Sequence, residues 1–168
     1  WVDGMVRCGH LLGDEYLLSR ARKHFDHVLE NADPDGYLGP KFMKKWGDCN
    51  RWPHAVFFRA LMAHADATDD DQIPAALARH YLSGSAPHST VREACNIEAA
   101  LWAYERTGDK RLLDHAVAAY EGFNRQDPRH DTSLKTLLSD KPGSEHGVTY
   151  NEMAKLGAIL YMYTGRRR

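Results

Sequence analysis

The sequence has few cysteines, no excess of either charge and no long apolar run, and each shortage excludes a class of protein. Its three cysteines in 168 residues include no C-x-x-C pair, so a disulfide framework is not expected. The 22 basic and 23 acidic side chains leave a net charge of -1, which gives no broad attraction for nucleic acid or an anionic membrane. The apolar runs fall far short of the roughly 20 residues that span a bilayer. We therefore expect neither nucleic acid nor membrane as a partner.

The common short motifs of phosphate binding and hydrolysis are missing too. The chain has no glycine-rich phosphate loop, no H-E-x-x-H and no G-x-S-x-G. What it does have is 43% hydrophobic residues and four tryptophans, enough for a folded core. The length predicts one domain, residues 1–168. Because the chain opens on Trp1 and stops at Arg168, just where a new helix should begin, we expect this domain to be truncated at both ends.

Four short polar turns of one layout recur along the chain. They are Leu12-Gly13-Asp14-Glu15, Thr68-Asp69-Asp70-Asp71, Thr107-Gly108-Asp109-Lys110 and Thr164-Gly165-Arg166-Arg167. A glycine at such a position suits the left-handed residue that ends a helix, and an aspartate after it can cap the next helix. The turns therefore predict a series of helical hairpins.

Apolar side chains spaced for one face of a helix flank these turns. We expect four such buried faces: Leu18, Ala21, Phe25 and Val28; Ile97, Ala100, Leu101 and Tyr104; Leu113, Ala116, Val117 and Tyr120; Met153, Leu156, Leu160 and Tyr163. No segment alternates long enough to predict a strand with confidence, so the fold class is all-α. Long, dissimilar connections favour an α/α toroid over a solenoid of strict period. At roughly 50 residues per hairpin, the chain supplies about half of an (α/α)6 barrel.

Several segments, taken in order, resemble the β-L-arabinofuranosidase-like glycoside hydrolases, family 127 and its relatives. They are Trp1–Val6, Leu11–Glu15, Asp35–Pro40, Arg51–His54, Glu98–Leu101 and His146–Thr149, the last followed by Lys155, Tyr161, Thr164 and Gly165. The resemblance implies a six-hairpin α/α barrel that hydrolyses glycosidic bonds of plant or bacterial glycans. The compartment stays open between bacterial cytoplasm and periplasm.

The sequence departs from that family at two motifs and ends before its catalytic residues. Ala94–Glu98 stands in place of Gly-Gly-Met-Asn-Glu, and Thr149 in place of an asparagine. The family's acid/base glutamate and its zinc-binding cysteines, which include the nucleophile, lie beyond the segment at His146. Cys8, Cys49 and Cys95 do not match them. We therefore expect no cofactor in this chain and zinc only in the complete domain.

Five residues are the candidate sugar contacts. His54 and His146 each precede an apolar helical stretch, where an imidazole can both donate to and accept from sugar hydroxyls. Trp52 can stack on a sugar ring, whereas Trp46 fits better as a residue packed under its own loop. Glu98 and Asp3 are further candidate contacts. Each has a structural alternative: backbone-bonded histidines for the first pair, and polar residues of a first helical turn for Glu98 and Asp3.

Together with the family resemblance, these observations predict that the chain is a fragment of a glycoside hydrolase. We expect the fragment to bind a non-reducing-end sugar such as an L-arabinofuranoside and to be inactive by itself. One alternative is a non-catalytic helical scaffold or carbohydrate-binding fragment. Another is a different six-hairpin enzyme, such as an unsaturated uronyl hydrolase. Half a toroid leaves an apolar edge exposed, which predicts a homodimer or pairing with the missing C-terminal half of the barrel. The expected ligand is an oligosaccharide or glycoside.

Overall fold

The computed structural model describes residues 1–44, 52–83, 93–124, 138–140, 151–152 and 154–167. Across these ranges the chain is helical and forms no strand, so the all-α prediction is confirmed. The helices are α1 Val2–Leu12, α2 Glu15–Glu30, α3 Lys41–Lys44, α4 Trp52–Thr68, α5 Gln72–Tyr81, a 3-10 turn Glu93–Asn96, α6 Ile97–Thr107, α7 Lys110–Asn124 and α8 Leu156–Thr164. None of the helices in these ranges is long and apolar enough to cross a membrane.

The four predicted turns share one backbone conformation. Gly13, Gly108 and Gly165 end α1, α6 and α8 with φ values of 65°, 71° and 64°. In the remaining turn, after α4, Asp69 takes this left-handed position with a φ of 55°. Aspartate is one of the few side chains that tolerate that region. The repeat is therefore kept in the second hairpin even though its glycine is missing.

Aspartates cap the helices that follow three of these turns. Asp14 accepts hydrogen bonds from the backbone N–H groups of Tyr16 and Leu17, at 2.9 and 3.1 Å. Asp109 accepts one from the N–H of Arg111 at 3.0 Å. Both caps were predicted from the sequence. Before α5, Asp70 accepts a 2.8 Å bond from the N–H of Gln72 from one position ahead of the N-cap residue Asp71, whose own side chain makes no capping bond.

The helices pack in two layers. The first helices of successive hairpins lie side by side, α1 against α4 and α4 against α6. The second helices cover them: α2 packs on α1, α7 on α6, and α5 on both α4 and α6. Side-chain pairs near the C-terminal ends link neighbouring first helices: His10 with His64, Asp66 with Arg106 and Glu105 with Tyr163. Because each pair joins like ends, the first helices run parallel.

Most of the predicted buried faces are confirmed, but that of α7 is displaced. Leu18, Ala21 and Phe25 are buried on α2. The buried residues of α6 include Ile97, Ala100 and Leu101, and those of α8 include Leu156 and Leu160. On α7 the buried positions are Leu112, Ala116, Ala119 and Phe123, whereas Leu113, Val117 and Tyr120 lie at the margin. The predicted spacing and the burial of Ala116 are confirmed, but the centre of the buried face is shifted toward Leu112 and Ala119, because α7 packs on both α6 and α5.

Two buried histidines hold the loop that leads from α2 to α3. The backbone N–H of Leu38 donates to Nδ1 of His80 at 2.9 Å, and Nε2 of His54 lies 2.8 Å from the Leu38 carbonyl oxygen. Both backbone polar groups of one buried residue, Leu38, are thereby satisfied. Tyr37 stacks on His80, with ring centroids 5.3 Å apart. The loop is thus part of the core.

Gly39 is required where this loop passes His54. Its φ is 134°, and a Cβ there would lie 2.6 Å from Nε2 of His54. We expect Gly39→Ala to lower the free energy of unfolding by about 2–4 kcal/mol, since backbone strain and a steric clash act together. Chemical denaturation measures the change.

Gly4→Ala is the matched control for Gly39→Ala. Gly4 lies inside α1 with open space around its Cβ position. Alanine there should stabilise the helix by about 0.5–1 kcal/mol. Equal effects of the two substitutions would show that the loop is not held as described.

Candidate functional site

Four charged side chains meet where α4, α6 and the residues just before α8 come together. This four-charge cluster consists of Arg59, Glu98, Glu152 and Lys155. Arg59 Nη2 lies 2.6 Å from Glu152 Oε2 and 4.0 Å from Glu98 Oε2. Lys155 Nζ lies 2.8 Å from Glu98 Oε2 and 3.4 Å from Glu152 Oε2. Each carboxylate therefore faces both cations, and the cluster has no net charge.

Helix geometry places an apolar surface next to this cluster. Glu98 is in the first turn of α6, where the helix dipole favours a carboxylate. On α4, Trp52, Val56 and Arg59 follow the i, i+4, i+7 spacing of a single face. Trp52 and Val56 are 43% and 40% exposed. An exposed aromatic and aliphatic surface thus leads along α4 to the charged groups.

Arg59 and Lys155 keep the carboxylate of Glu152 ionised. Burial would raise the pKa of Glu152, but the hydrogen bond from Arg59 and the charges of Arg59 and Lys155 hold it below its ordinary value. The pKa of Lys155 is raised: burial opposes the change, and contact with Glu98 and Glu152 outweighs it. Glu152 is therefore suited to accepting hydrogen bonds. It is not suited to being the protonated acid that a glycosidase requires.

Cys95 lies close to the four-charge cluster, and its thiol is expected to be unreactive at neutral pH. Cys95 is buried, and burial together with the charge of Glu152 raises its pKa to about 11, although Arg59 and Lys155 act in the opposite direction. Since the thiolate is the reactive form, Cys95 is a poor nucleophile at neutral pH.

The predicted site residues have different positions in the fold. Glu98 belongs to the four-charge cluster, and Trp52 starts the exposed face of α4. Asp3 lies on α1, paired with Arg7 at 2.8 Å. His54 is 5% exposed and bonded to Leu38, which matches its structural alternative of a histidine satisfied by the backbone. His146 lies outside the described residues, as does Trp46.

A small cavity beside His54 does not suit a sugar. It has a volume of about 220 Å³ and is lined by Val28, Leu38, Gly39, Pro40, Met43, Pro53, His54, Phe57 and Phe58. Nearly all of this lining is apolar, whereas a sugar hydroxyl that loses water without gaining a hydrogen bond costs binding energy. The four-charge cluster suits a ligand with many hydroxyl groups better than this cavity does.

Three of the four cluster residues were missed by the sequence analysis. In the sequence, Glu152 resembles a solvent-facing helix residue. Lys155 was named only as part of the family resemblance, and no motif or spacing indicated Arg59. Arg59 and Glu152 are 93 positions apart, so only the packing of the helices reveals their contact. In the described ranges no group of three or more histidine, cysteine, aspartate or glutamate residues could hold a metal ion. The zinc expected for the complete domain stays a prediction.

Comparisons of the chain with protein-family models, curated proteins and solved structures gave no match. The resemblance to family 127 glycoside hydrolases therefore stays a prediction based on the quoted segments. Any argument about function has to start from the fold and the four-charge cluster.

The difference between the two described cysteines is directly testable. Cys8 is exposed and Cys95 is buried with a raised pKa. In native protein at pH 7.5, we expect iodoacetamide to label Cys8 quickly and Cys95 only after unfolding, because Cys95 lacks both access and thiolate. Mass spectrometry of the digested protein gives the rate for each peptide. Native labelling of Cys95 as fast as that of Cys8 would contradict its placement.

Proposed function

We propose that this chain is the N-terminal half of an α/α-toroid glycoside hydrolase domain that binds a non-reducing-end sugar at the four-charge cluster. The two-layer packing supports the toroid, because parallel first helices covered by antiparallel second helices are the repeating unit of such a ring. An L-arabinofuranoside is the substrate that the family resemblance implies.

The observation that carries the proposal is the four-charge cluster beside the exposed face of α4. Carboxylates accept hydrogen bonds and guanidinium and ammonium groups donate them, so Glu98, Glu152, Arg59 and Lys155 together match the two-way bonding of sugar hydroxyls. Trp52 offers an aromatic surface for the C–H face of the ring. A sugar needs both a polar and an aromatic surface. The exposed face of α4 has the aromatic surface at Trp52 and reaches the polar cluster at Arg59.

Within this proposal the cluster residues bind the sugar, and other groups cleave the bond. The ion pairs fix both carboxylates in position before the ligand arrives, which lowers the cost of ordering them on binding. Glu152 stays ionised and is therefore unsuited to being the proton donor, and Cys95 stays a thiol and is therefore a poor nucleophile. The family resemblance assigns those roles to residues beyond His146.

A second candidate function, a non-catalytic helical scaffold, is favoured by exposed apolar side chains at the two outermost first helices. Leu11 and Leu12 at the end of α1 are 84% and 76% exposed, and Met162 on α8 is 74% exposed. Such surfaces commonly contact another protein or another part of the same protein. A folded protein that associates but binds no saccharide would favour this alternative.

The test is a binding and turnover series with p-nitrophenyl glycosides, including both anomers of L-arabinofuranoside. We expect one glycoside to bind, and Glu98→Gln to weaken its binding about 10-fold or more, because a hydrogen bond to a charged group contributes about 1.5–3 kcal/mol. Titration followed by tryptophan fluorescence measures the affinity, and release of p-nitrophenol measures turnover in a protein that contains the complete domain.

Glu30→Gln is the matched control for Glu98→Gln. Glu30 is an exposed glutamate at the end of α2, away from the four-charge cluster. The control should keep wild-type affinity, and circular dichroism should show both variants folded. Unchanged affinity in a folded Glu98→Gln protein would place the sugar elsewhere. The absence of binding to every glycoside would remove the support for a glycosidase.

A further inference from the structure

Two histidines from different hairpins form a hydrogen-bonded pair. Nε2 of His10 on α1 lies 3.1 Å from Nδ1 of His64 on α4, and the ring centroids are 5.2 Å apart. Both side chains are half-buried. Phe25 of α2 packs on His64 with ring centroids 5.2 Å apart. The pair therefore sits where α1, α2 and α4 meet.

Charged groups surround the pair from the neighbouring elements. Arg22 and Asp26 approach from α2, and Asp70 approaches from the turn between α4 and α5. Burial lowers the pKa of His64 below its ordinary value of 6.5, and His10 and Arg22 lower it further, while Asp70 and Asp26 act in the opposite direction. The surroundings thus disfavour a proton on His64.

A hydrogen bond between two imidazoles needs a nitrogen that carries a proton and a nitrogen that does not. Protonating both rings removes the acceptor. It also leaves two positive charges whose nitrogens are 3.1 Å apart. The contact therefore changes from attractive to repulsive on acidification, within the pH range where histidine is the side chain that ordinarily titrates.

We propose that the His10–His64 pair is a pH-sensitive latch, which stabilises the packing of α1 against α4 at neutral pH and weakens it on acidification. Two further side-chain links between first helices, Asp66 with Arg106 and Glu105 with Tyr163, contain no histidine. Acid should therefore loosen the α1–α4 contact before these. The latch shares no residue with the four-charge cluster and does not depend on the proposed function.

The sign of the effect follows from proton uptake. Because the pKa of His64 is lower in the folded protein, the unfolded chain binds more protons just below the ordinary value. The stabilisation is then complete above about pH 6.5 and is lost as the pH falls through and below that value.

A double-mutant cycle at two pH values tests the latch. Thermal unfolding midpoints are measured for wild type, His10→Ala, His64→Ala and the double variant at pH 7.5 and pH 5.0. We expect the two positions to stabilise each other by about 1–3 °C at pH 7.5, and to destabilise each other at pH 5.0. If the contact were purely structural, the coupling between the two positions would have the same sign at both pH values. His24→Ala, an exposed histidine on α2, should change the midpoint equally at both pH values.

Hydrogen exchange shows where the structure loosens on acidification, and it does not depend on stable variants. After correction for the intrinsic effect of pH on exchange, the amides of α1 should lose protection at pH 5.0 while those of α7 keep theirs. If His64→Ala does not fold, His10→Gln leaves only one imidazole in the pair, so two positive charges can no longer face each other and α1 should stay protected at pH 5.0. A coupling of one sign at both pH values, or equal protection of α1 at both, would overturn the proposal.

Discussion

The left-handed residue at each hairpin turn is the constraint on which the rest of the structure depends. Gly13, Asp69 and Gly108 each follow a first helix with a positive φ, and the chain then reverses; Gly165 ends α8 with the same conformation. A second reversal returns it, so each new first helix runs parallel to the last. The N-terminal ends of the first helices therefore gather on one side of the layer, and the C-terminal ends gather on the other. No single long-range contact could impose that arrangement.

The two sides of the layer carry different chemistry as a result. The four-charge cluster lies toward the N-terminal side, where two carboxylates alternate with two cations. The C-terminal side carries the His10–His64 pair and the Asp66–Arg106 ion pair. Surface ion pairs contribute only about 0–1 kcal/mol each, so the apolar core and not the cluster holds the helices together. The cluster is thus free to serve a ligand without being essential to the fold.

The sequence predicts those parts of the fold that depend on local chemistry. Turn conformation and capping by Asp14 and Asp109 follow from a few neighbouring residues, and all of these predictions are confirmed. The buried face of α7 could not be fixed in this way, because periodicity gives the spacing of a face but not the direction of its neighbours. The position of His54 shows the same limit. Its burial depends on the carbonyl of Leu38, 16 residues earlier, which no helical pattern indicates.

The four-charge cluster was hardest to predict, because it depends on residues that only packing brings together. Glu98 was a candidate because its segment resembles a family motif, yet the two cations that face it, Arg59 and Lys155, come from other hairpins. These contacts change how the position of Glu98 is interpreted. A lone glutamate in a first helical turn is explained by the helix dipole, whereas Glu98 also lies between two cations near the exposed face of α4, which is why we propose it as a sugar contact. In the hydrolase that we propose, side chains held in place by ion pairs would bind the sugar, and the proton donor and nucleophile would come from other residues.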